Sequence, residues 1–452
     1  MHRHRTPLTG WGLLRPTVAT VVRPRTTDEL AAVLRSAARG RGAVARGLGR
    51  SYGDAAQNAD GTVVDCADLT PGFRVDAAAG TVTASAGTSL DTLLRHLLPR
   101  GFFLPVTPGT RQVTVGGAIA ADVHGKNHHV DSSFGAHLRA LTLVTPDGAV
   151  RRLGPDRDPD LFWATVGGMG LTGVITEATF TVLPVTTSRM RVDTDRIPDL
   201  EAALAAMTER DDDYRYSVCW LDLLARGRFL GRGVLTRAHH AHVADLPPAA
   251  RRDPLRYRPR QGIRVPRGVP SRLLTPTTVR AFNTAYYAAA PRRRRDELQE
   301  VTAFFYPLDA LRDWNRLYGS RGLVQYQFTV PFGQEETLRR IVEHLAKHQA
   351  PSFLAVLKRF GPGTPAPLSF PQPGWTLAVD LPADLPGLLP LLTRFDEWVL
   401  AAGGRLYLAK DSRAAAATVH AMYPELPRWH RVRDRVDPER VLVSDLARRL
   451  EL

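Results

Sequence analysis

Two stretches, "PGTRQVTVGGAIAADVHGKNHH" (residues 108–129) and "ARGLGRSYGD" (residues 45–54), decide how the first part of the chain is read. Both are dominated by small side chains, so both would present bare backbone N–H groups, the arrangement by which a nest of amides holds a diphosphate. The histidines of "DVHGKNHH" raise a different question. His124 and His128 lie four apart, which on a helix sets two imidazoles on one face, as in the H-E-x-x-H zinc motif. Gly125 follows His124 and discourages helix, and no Glu stands where a metalloprotease keeps its general base. No metal is expected there, and a polar loop is the plain reading of the stretch taken alone.

Two further glycine motifs point away from other chemistries. "GMGLTG" (168–173) satisfies G-x-G-x-x-G, but the β-branched "VITEATF" follows it, where a dinucleotide site needs a helix N-terminus. "GRSYG" (49–53) satisfies G-x-S-x-G, yet "DAAQNADGTVVD" is a poor helix and no HGGG-type segment supplies an oxyanion hole. Neither a Rossmann site nor a hydrolase elbow is expected.

Around these loops the pattern is mixed. Residues 28–39 repeat apolar positions at helical spacing and stop at Gly40; "AVARG", "TVVDC" and "TVTASAG" read as strands. "LDTLLRHLLPR" reads as a helix capped by Ser89, "ALTLVTPDGAVRRL" as a hairpin turning at Asp147-Gly148, and "GVITEATFTVL" as a strand. Up to about residue 187 this is an α+β domain without a clean βαβ repeat. Later come "QYQFTVP", "EETLRRIVEHLAK", "SFLAVLKRF", "WTLAVDLP", "LPLLTRFDEWVLAAGG" and "RLYLAK". Their order is β-α-β-β-α-β, a split-βαβ pattern with an antiparallel sheet and helices on one face.

A chain of 452 residues suggests two domains, or one with a large insertion. Cys66 and Cys219 are too far apart for a C-x-x-C, which removes a disulfide framework and a zinc ribbon. The basic N-terminus is interrupted at Arg15-Pro16 before reaching signal-peptide length, and no run approaches the ~20 apolar residues of a membrane span. A net charge of +15 implies attraction to nucleic acid, a phospholipid surface or a phosphorylated substrate. Arginines concentrate in "ARRDPLRYRPRQGIRVPRG" and "PRRRR", which read as a mobile surface loop over about residues 246–295. No aromatic platform or recognition helix accompanies them, which argues against nucleic acid. Lysines number only four, Lys126, Lys347, Lys358 and Lys410. In a chain that otherwise uses arginine, a lysine marks a place that needs a compact ammonium or an amine able to lose its proton.

The two small-residue loops resemble the flavin-binding segments of the vanillyl-alcohol-oxidase type of FAD-linked oxidoreductase. More narrowly, nearly the whole chain is similar to the decaprenylphosphoryl-β-D-ribose 2'-oxidase family, through "LTGWG", "PGTRQVTVGGAIA", "HGKNHH", "FWATVGG", "QYQF", "APLSFP", "AKDSR" and "ARRLEL". The resemblance implies an α+β enzyme with a discontinuous FAD domain, residues 6–187 and 405–452, around a substrate domain, residues 188–404. It implies non-covalent FAD, since "GLGRSYGD" has no histidine of the kind that carries a linked flavin. The implied reaction is oxidation of the ribose C2 hydroxyl of a polyprenylphosphoryl-β-D-ribose to the 2'-keto sugar, the first half of epimerisation to the arabinose donor for cell-wall arabinan. A separate NAD(P)H-dependent keto reductase would complete it, and the enzyme would sit peripherally on an anionic membrane, the periplasmic face being favoured.

By matching motif, the resemblance places Ala45, Arg46, Gly47, Leu48, Gly49, Arg50, Ser51, Tyr52, Gly53, Asp54 and Ala55 around the FAD diphosphate and ribityl chain, with Gly109, Thr114, Val115, Gly116 and Gly117. Ala121, Asp122, Val123 and His124 would lie along the flavin, and Tyr407 would touch it from the C-terminal part. His128 and His129 read as polar loop groups. Lys410 leads the catalytic candidates because desolvation beside a flavin would depress its pKa; Tyr52 and His124 are the others. Gln325, Gln327, Lys358 and Ala378 would line the substrate pocket with Lys410. Lys358 either holds the lipid phosphate or pairs with a surface acid. Ala378 stands where mycobacterial members carry a cysteine, which puts in doubt covalent capture by inhibitors that attack that thiol. Two alternatives remain: a soluble alditol or aldonolactone oxidase of the same flavin fold, and a basic nucleic-acid-binding or scaffold protein.

Overall fold

Three sheets carry most of the regular structure. The computed structural model describes residues 3–259, 262–270 and 273–452; Met1, His2 and residues 260, 261, 271 and 272 of the Arg/Pro-rich segment lie outside the described residues. Thr17–Val22, Thr62–Asp65 and Ala43–Arg46 pair in parallel, and Arg3–Leu8 adds an antiparallel edge. Helix Thr27–Ala37 begins where the Thr26 hydroxyl accepts the Glu29 N–H, and it buries Leu30, Val33 and Leu34. A second sheet is antiparallel, in the order Phe73–Asp76, Thr81–Ser85, Val174–Thr181, Leu138–Val144, Val150–Leu153. Its hairpin turns at Asp147-Gly148 as the sequence predicts, with Gly148 at φ +84°. "GMGLTG" runs into a strand, and no helix follows Ser51.

The third sheet has eight strands, ordered Arg293–Glu300, Arg189–Ile197, Gly233–His240, Tyr216–Leu221, Ala355–Phe360, Gly374–Pro382, Leu323–Pro331, Arg405–Leu406. The predicted split-βαβ unit is its second half, completed by helices Glu335–Lys347 and Leu388–Ala401. The same element order occurs upstream with helices Leu200–Arg210 and Pro276–Ala289, and the two units join where Trp220 pairs with Val356. That first unit escaped the sequence reading because strands such as "RMRVDTDRI" and "RRRDELQE" carry arginines and acids where an apolar alternation would announce them.

Two expectations need correction. The Arg/Pro-rich segment 246–295 is not loop throughout: helix Pro276–Ala289 is held by a Thr275/Thr278 capping box, and strand Arg293–Glu300 begins inside "PRRRR". Two of the charges there are paired, Arg295 with Asp195 at 2.7 Å and Arg294 with Glu297 at 2.8 Å, which helps the run sit at a sheet edge. The "RLYLAK" strand ends at Leu406, because the Lys410 and Asp411 N–H groups both turn back to the Tyr407 carbonyl.

Candidate active site

Register explains why the pocket residues come in steps of two. Gln325 pairs with Asp380, Gln327 with Ala378 and Thr329 with Thr376; Thr376 and Ala378 pair in turn with Lys358 and Val356. Alternate residues of a strand share a face, so these side chains line one face of the sheet. Tyr326, Phe328, Leu377 and Val379 take the other face and are buried beneath the two helices of that unit. Both glutamines are bonded across the pocket face: the Gln325 amide donates to the Asp380 carboxylate, and Gln327 Nε2 donates to His124 Nε2 at 2.9 Å and to Thr376 Oγ1 at 3.3 Å.

His124 is buried against the rings of Phe360, Phe370 and Tyr407. Since its Nε2 accepts from Gln327, the ring proton is on Nδ1, which is buried with no partner among the described residues. Desolvation holds the imidazole well below the usual histidine range, so it is neutral. Tyr407 stacks on Phe370 at 4.7 Å and donates its hydroxyl to the Ala121 carbonyl at 2.7 Å. Asp122 is fully buried, and its carboxylate accepts from Ser133, Gly135, Thr364 and Ser369. Its N–H bonds the Ile119 carbonyl, which leaves only its own carbonyl for a ligand. His128 and His129 are not solvated loop groups: they open the short helix His128–Asp131, where His128 packs on Phe360 and His129 bonds the Asp211 and Tyr214 carbonyls.

Three of the four lysines converge here. Lys410 Nζ lies 4.0 Å over the Tyr52 ring, and a narrow crevice borders Gln325, Gln327, Tyr407 and Lys410. Burial pushes the Lys410 ammonium down; the nearby Asp380 carboxylate opposes that and Lys358 adds to it. Burial lowers Lys358 to about 8. Lys126 donates to the Phe304 carbonyl and is lowered to about 7 by burial and by Lys358. Asp380, fully buried, is pushed up by desolvation. Burial likewise holds the Tyr52 phenol well above its usual value, which favours the neutral phenol over the phenolate a base would use.

The first loop fits the diphosphate of FAD. Among the described residues no acceptor meets the amides of residues 47–51, five consecutive donors of the kind that bind phosphate oxygens. A Cβ on Gly47 would lie 2.3 Å from Thr114 Oγ1, so the two loops face each other too closely for a side chain. A Cβ on Gly53 would lie 2.0 Å from the Asp411 carbonyl, and Tyr52 N–H donates to the Ala409 carbonyl, which clamps this loop to the Lys410 turn. Leu48 and Gly109 are exposed at the rim. Other expected contacts are turned inward. Arg46 bonds the Ala56 and Thr9 carbonyls, Arg50 bonds the Gln112 carbonyl and lies over Trp11, and Asp54 takes a two-pronged bond from Arg449. Ala55, Val115 and Val123 belong to the core, Ala45 to a strand, and the Val115, Gly116 and Gly117 amides are bonded within the protein.

A loop of free amides beside a polar face of a large antiparallel sheet, in a chain of mixed helices and sheets, defines an FAD-linked oxidoreductase of the vanillyl-alcohol-oxidase type. Residues 18–154 match the family model of the FAD binding domain, and residues 325–450 that of D-arabinono-1,4-lactone oxidase. The chain is 44% identical to decaprenylphosphoryl-β-D-ribose oxidase of Mycolicibacterium smegmatis over 98% of its length and 97% of the relative's. It is 26% identical over 96% of both chains to L-gulono-1,4-lactone dehydrogenase of Mycobacterium tuberculosis. Alditol oxidase of Streptomyces is 31% identical over 40% of this chain and 42% of its own. The chain belongs to the decaprenylphosphoryl-β-D-ribose oxidase family of FAD-linked oxidoreductases. That decides for an enzyme over the scaffold reading. Asp380 and Thr376 were missed in the sequence; the signal was available, since "WTLAVDLP" places them two residues either side of Ala378.

Proposed function

We propose that this chain uses non-covalently bound FAD to oxidise the C2 hydroxyl of a polyprenylphosphoryl-β-D-ribose to the 2'-keto sugar. The observation that carries the reading is the convergence of Lys126, Lys358 and Lys410 on one pocket with Asp380 as the carboxylate facing Lys410. The positive charge that Lys126 and Lys358 can carry suits a phosphate, whereas an uncharged alditol or lactone gives it nothing to bind. FAD, when bound, supplies the hydride acceptor. The protein's part is proton transfer and orientation. Lys410 as the free amine takes the C2 hydroxyl proton; Gln325 and Gln327 orient the sugar; Lys126 and Lys358 hold the phosphate; the Nδ1–H of His124 would be a donor available to the flavin.

The division into an FAD domain, residues 6–187 and 405–452, and a substrate domain, residues 188–404, belongs to the same reading. It is supported by the C-terminal tail, where Val443 pairs with Ala43 and Arg449 with Asp54. A keto reductase partner, and peripheral binding to anionic lipid at the periplasmic face, complete the proposal. Among the described residues no helix is long and apolar enough to cross a membrane. The test is anaerobic mixing of the holoenzyme with a prenylphosphoryl ribose, an alditol and an aldonolactone. Bleaching by the first alone is expected. Bleaching by a neutral sugar and not by the phosphorylated one would make the enzyme an alditol or lactone oxidase.

A further inference from the structure

The pocket face continues past the sugar site. Gln327, Ala378, Val356 and Trp220 stand in one cross-strand row, which at about 4.8 Å per strand extends roughly 15 Å. Ala378 and Val356 are half-buried, and their outward surface is apolar. At the end of the row the Trp220 indole donates to the Phe353 carbonyl at 3.0 Å and meets the Tyr286 ring edge-on at 4.7 Å. Tyr286 stacks with Phe282 at 6.0 Å, and Phe282 packs edge-on against Phe353 at 6.1 Å.

Helix Pro276–Ala289 therefore lies on the pocket face, unlike helices Glu335–Lys347 and Leu388–Ala401. Phe282 and Tyr286, four apart on one face of it, remain 50% and 47% exposed. Exposed large rings gathered in one patch mark a binding surface more often than chance. The row thus changes character along its length, from amide and ammonium groups at Gln327, Lys358 and Lys410 to methyl groups at Ala378 and Val356, then to aromatic rings at the surface. That is the profile of an amphiphile with an anionic sugar head and a hydrocarbon tail.

We infer that Ala378, Val356, Trp220, Tyr286 and Phe282 seat the prenyl chain of the substrate and lead it from the sugar site to the surface. The inference rests on the proposed function, since it needs a substrate with a prenyl tail. Aromatic faces suit such a chain because their apolar area is large and rigid, so little conformational entropy is lost on contact. Ala378, the small member of the row, leaves room for the chain to pass between the sugar site and Trp220.

The test compares the holoenzyme with the double variant Phe282→Ser/Tyr286→Ser on geranylphosphoryl ribose and decaprenylphosphoryl ribose, both in neutral detergent micelles. The short chain ends before the helix; the long one crosses it. The ratio of long-chain to short-chain kcat/KM should fall about tenfold, roughly 1.4 kcal/mol, mainly through KM. Phe282→Leu/Tyr286→Phe should restore most of it. An unchanged ratio, or equal loss on both substrates, overturns the seat. A defect confined to substrate in anionic vesicles also overturns it, by assigning the helix face to the membrane. If the wild-type enzyme oxidises neither substrate, the proposed function itself falls; if it oxidises both and the ratio ignores the variants, only the seat does.

Discussion

Lys410→Ala should leave the protein yellow and nearly abolish flavin reduction by substrate. The amine lies over the Tyr52 ring, half-buried, with Asp380 and Lys358 as charged neighbours. Burial and Lys358 favour the neutral form, so the amine can give up its proton far below the ~10.4 of a free lysine and accept one from a hydroxyl. Losing a positioned base costs about 100 to 10,000-fold in rate. Lys410→Arg should fail as well, because a guanidinium keeps its proton. Since the free amine is the working form, the reduction rate should rise with pH through the Lys410 pKa and fall about tenfold per unit below it. Asp380→Asn removes the carboxylate that favours the ammonium, so the acid limb should move to lower pH. An adjacent opposite charge shifts a pKa by about one to three units; the lower figure applies, because Asp380 is itself pushed up by desolvation and only partly ionised. Anaerobic stopped-flow bleaching from about pH 5 to pH 9, with substrate in excess, measures both effects. Near-wild-type bleaching by Lys410→Ala, or an acid limb that moves upward in Asp380→Asn, would refute the assignment.

Acid precipitation of the holoenzyme should release the yellow colour into the supernatant, and colour kept in the pellet would mean a covalent flavin. Ala378→Cys, half-buried on the pocket face, should gain an adduct at residue 378 when a nitroaromatic inhibitor of the family is turned over, while wild type stays unmodified by mass spectrometry. Arg449→Met strips Asp54 and Asp411 of a shared cation; since the arginine is partly exposed, the cost should be about 2 kcal/mol, read as a Tm lower by a few degrees together with weaker FAD retention. An unchanged Tm and unchanged flavin content would show that the "GRSYGD" and "AKDSR" loops hold their positions without it.

The site was legible where local pattern and chemistry coincide. Small residues in "ARGLGRSYGD" foretell free amides, and alternation in "QYQFTVP" and "WTLAVDLP" foretells which side chains share a face. Register is a property of pairing: alternation in "WTLAVDLP" sets Asp380 on the face of Ala378, but only the pairing shows that it lies opposite Gln325. The inward turn of Arg46, Asp54 and Asp122 was equally hidden, because a polar residue in a cofactor loop looks the same whether it faces ligand or protein. Asp122 shows the difference: its four donors come from residues 133, 135, 364 and 369, two of them far along the chain. The upstream split-βαβ unit was obscured for a related reason. Its edge strand satisfies its charges across the sheet, through pairs such as Arg295 with Asp195 at 2.7 Å, and so carries no hydrophobic period.

The uneven use of basic residues follows from what each can do when buried. Arg449 bridges Asp54 and Asp411, Arg413 pairs with Asp396, and Arg433, fully buried, bonds the Leu452 and Leu442 carbonyls. Each such place needs a permanent charge in a fixed planar fork, which a guanidinium supplies. A lysine there would lose its proton to desolvation and release its partner. At the pocket the requirement reverses. On the proposed mechanism Lys410 works as the neutral amine, while Lys126 and Lys358 work charged when a phosphate is present. Burial brings all three close enough to neutral pH for their surroundings to decide. An incoming phosphate would favour the charged form of its two holders, while its own negative charge offsets theirs at Lys410, so the field that reaches the base changes little.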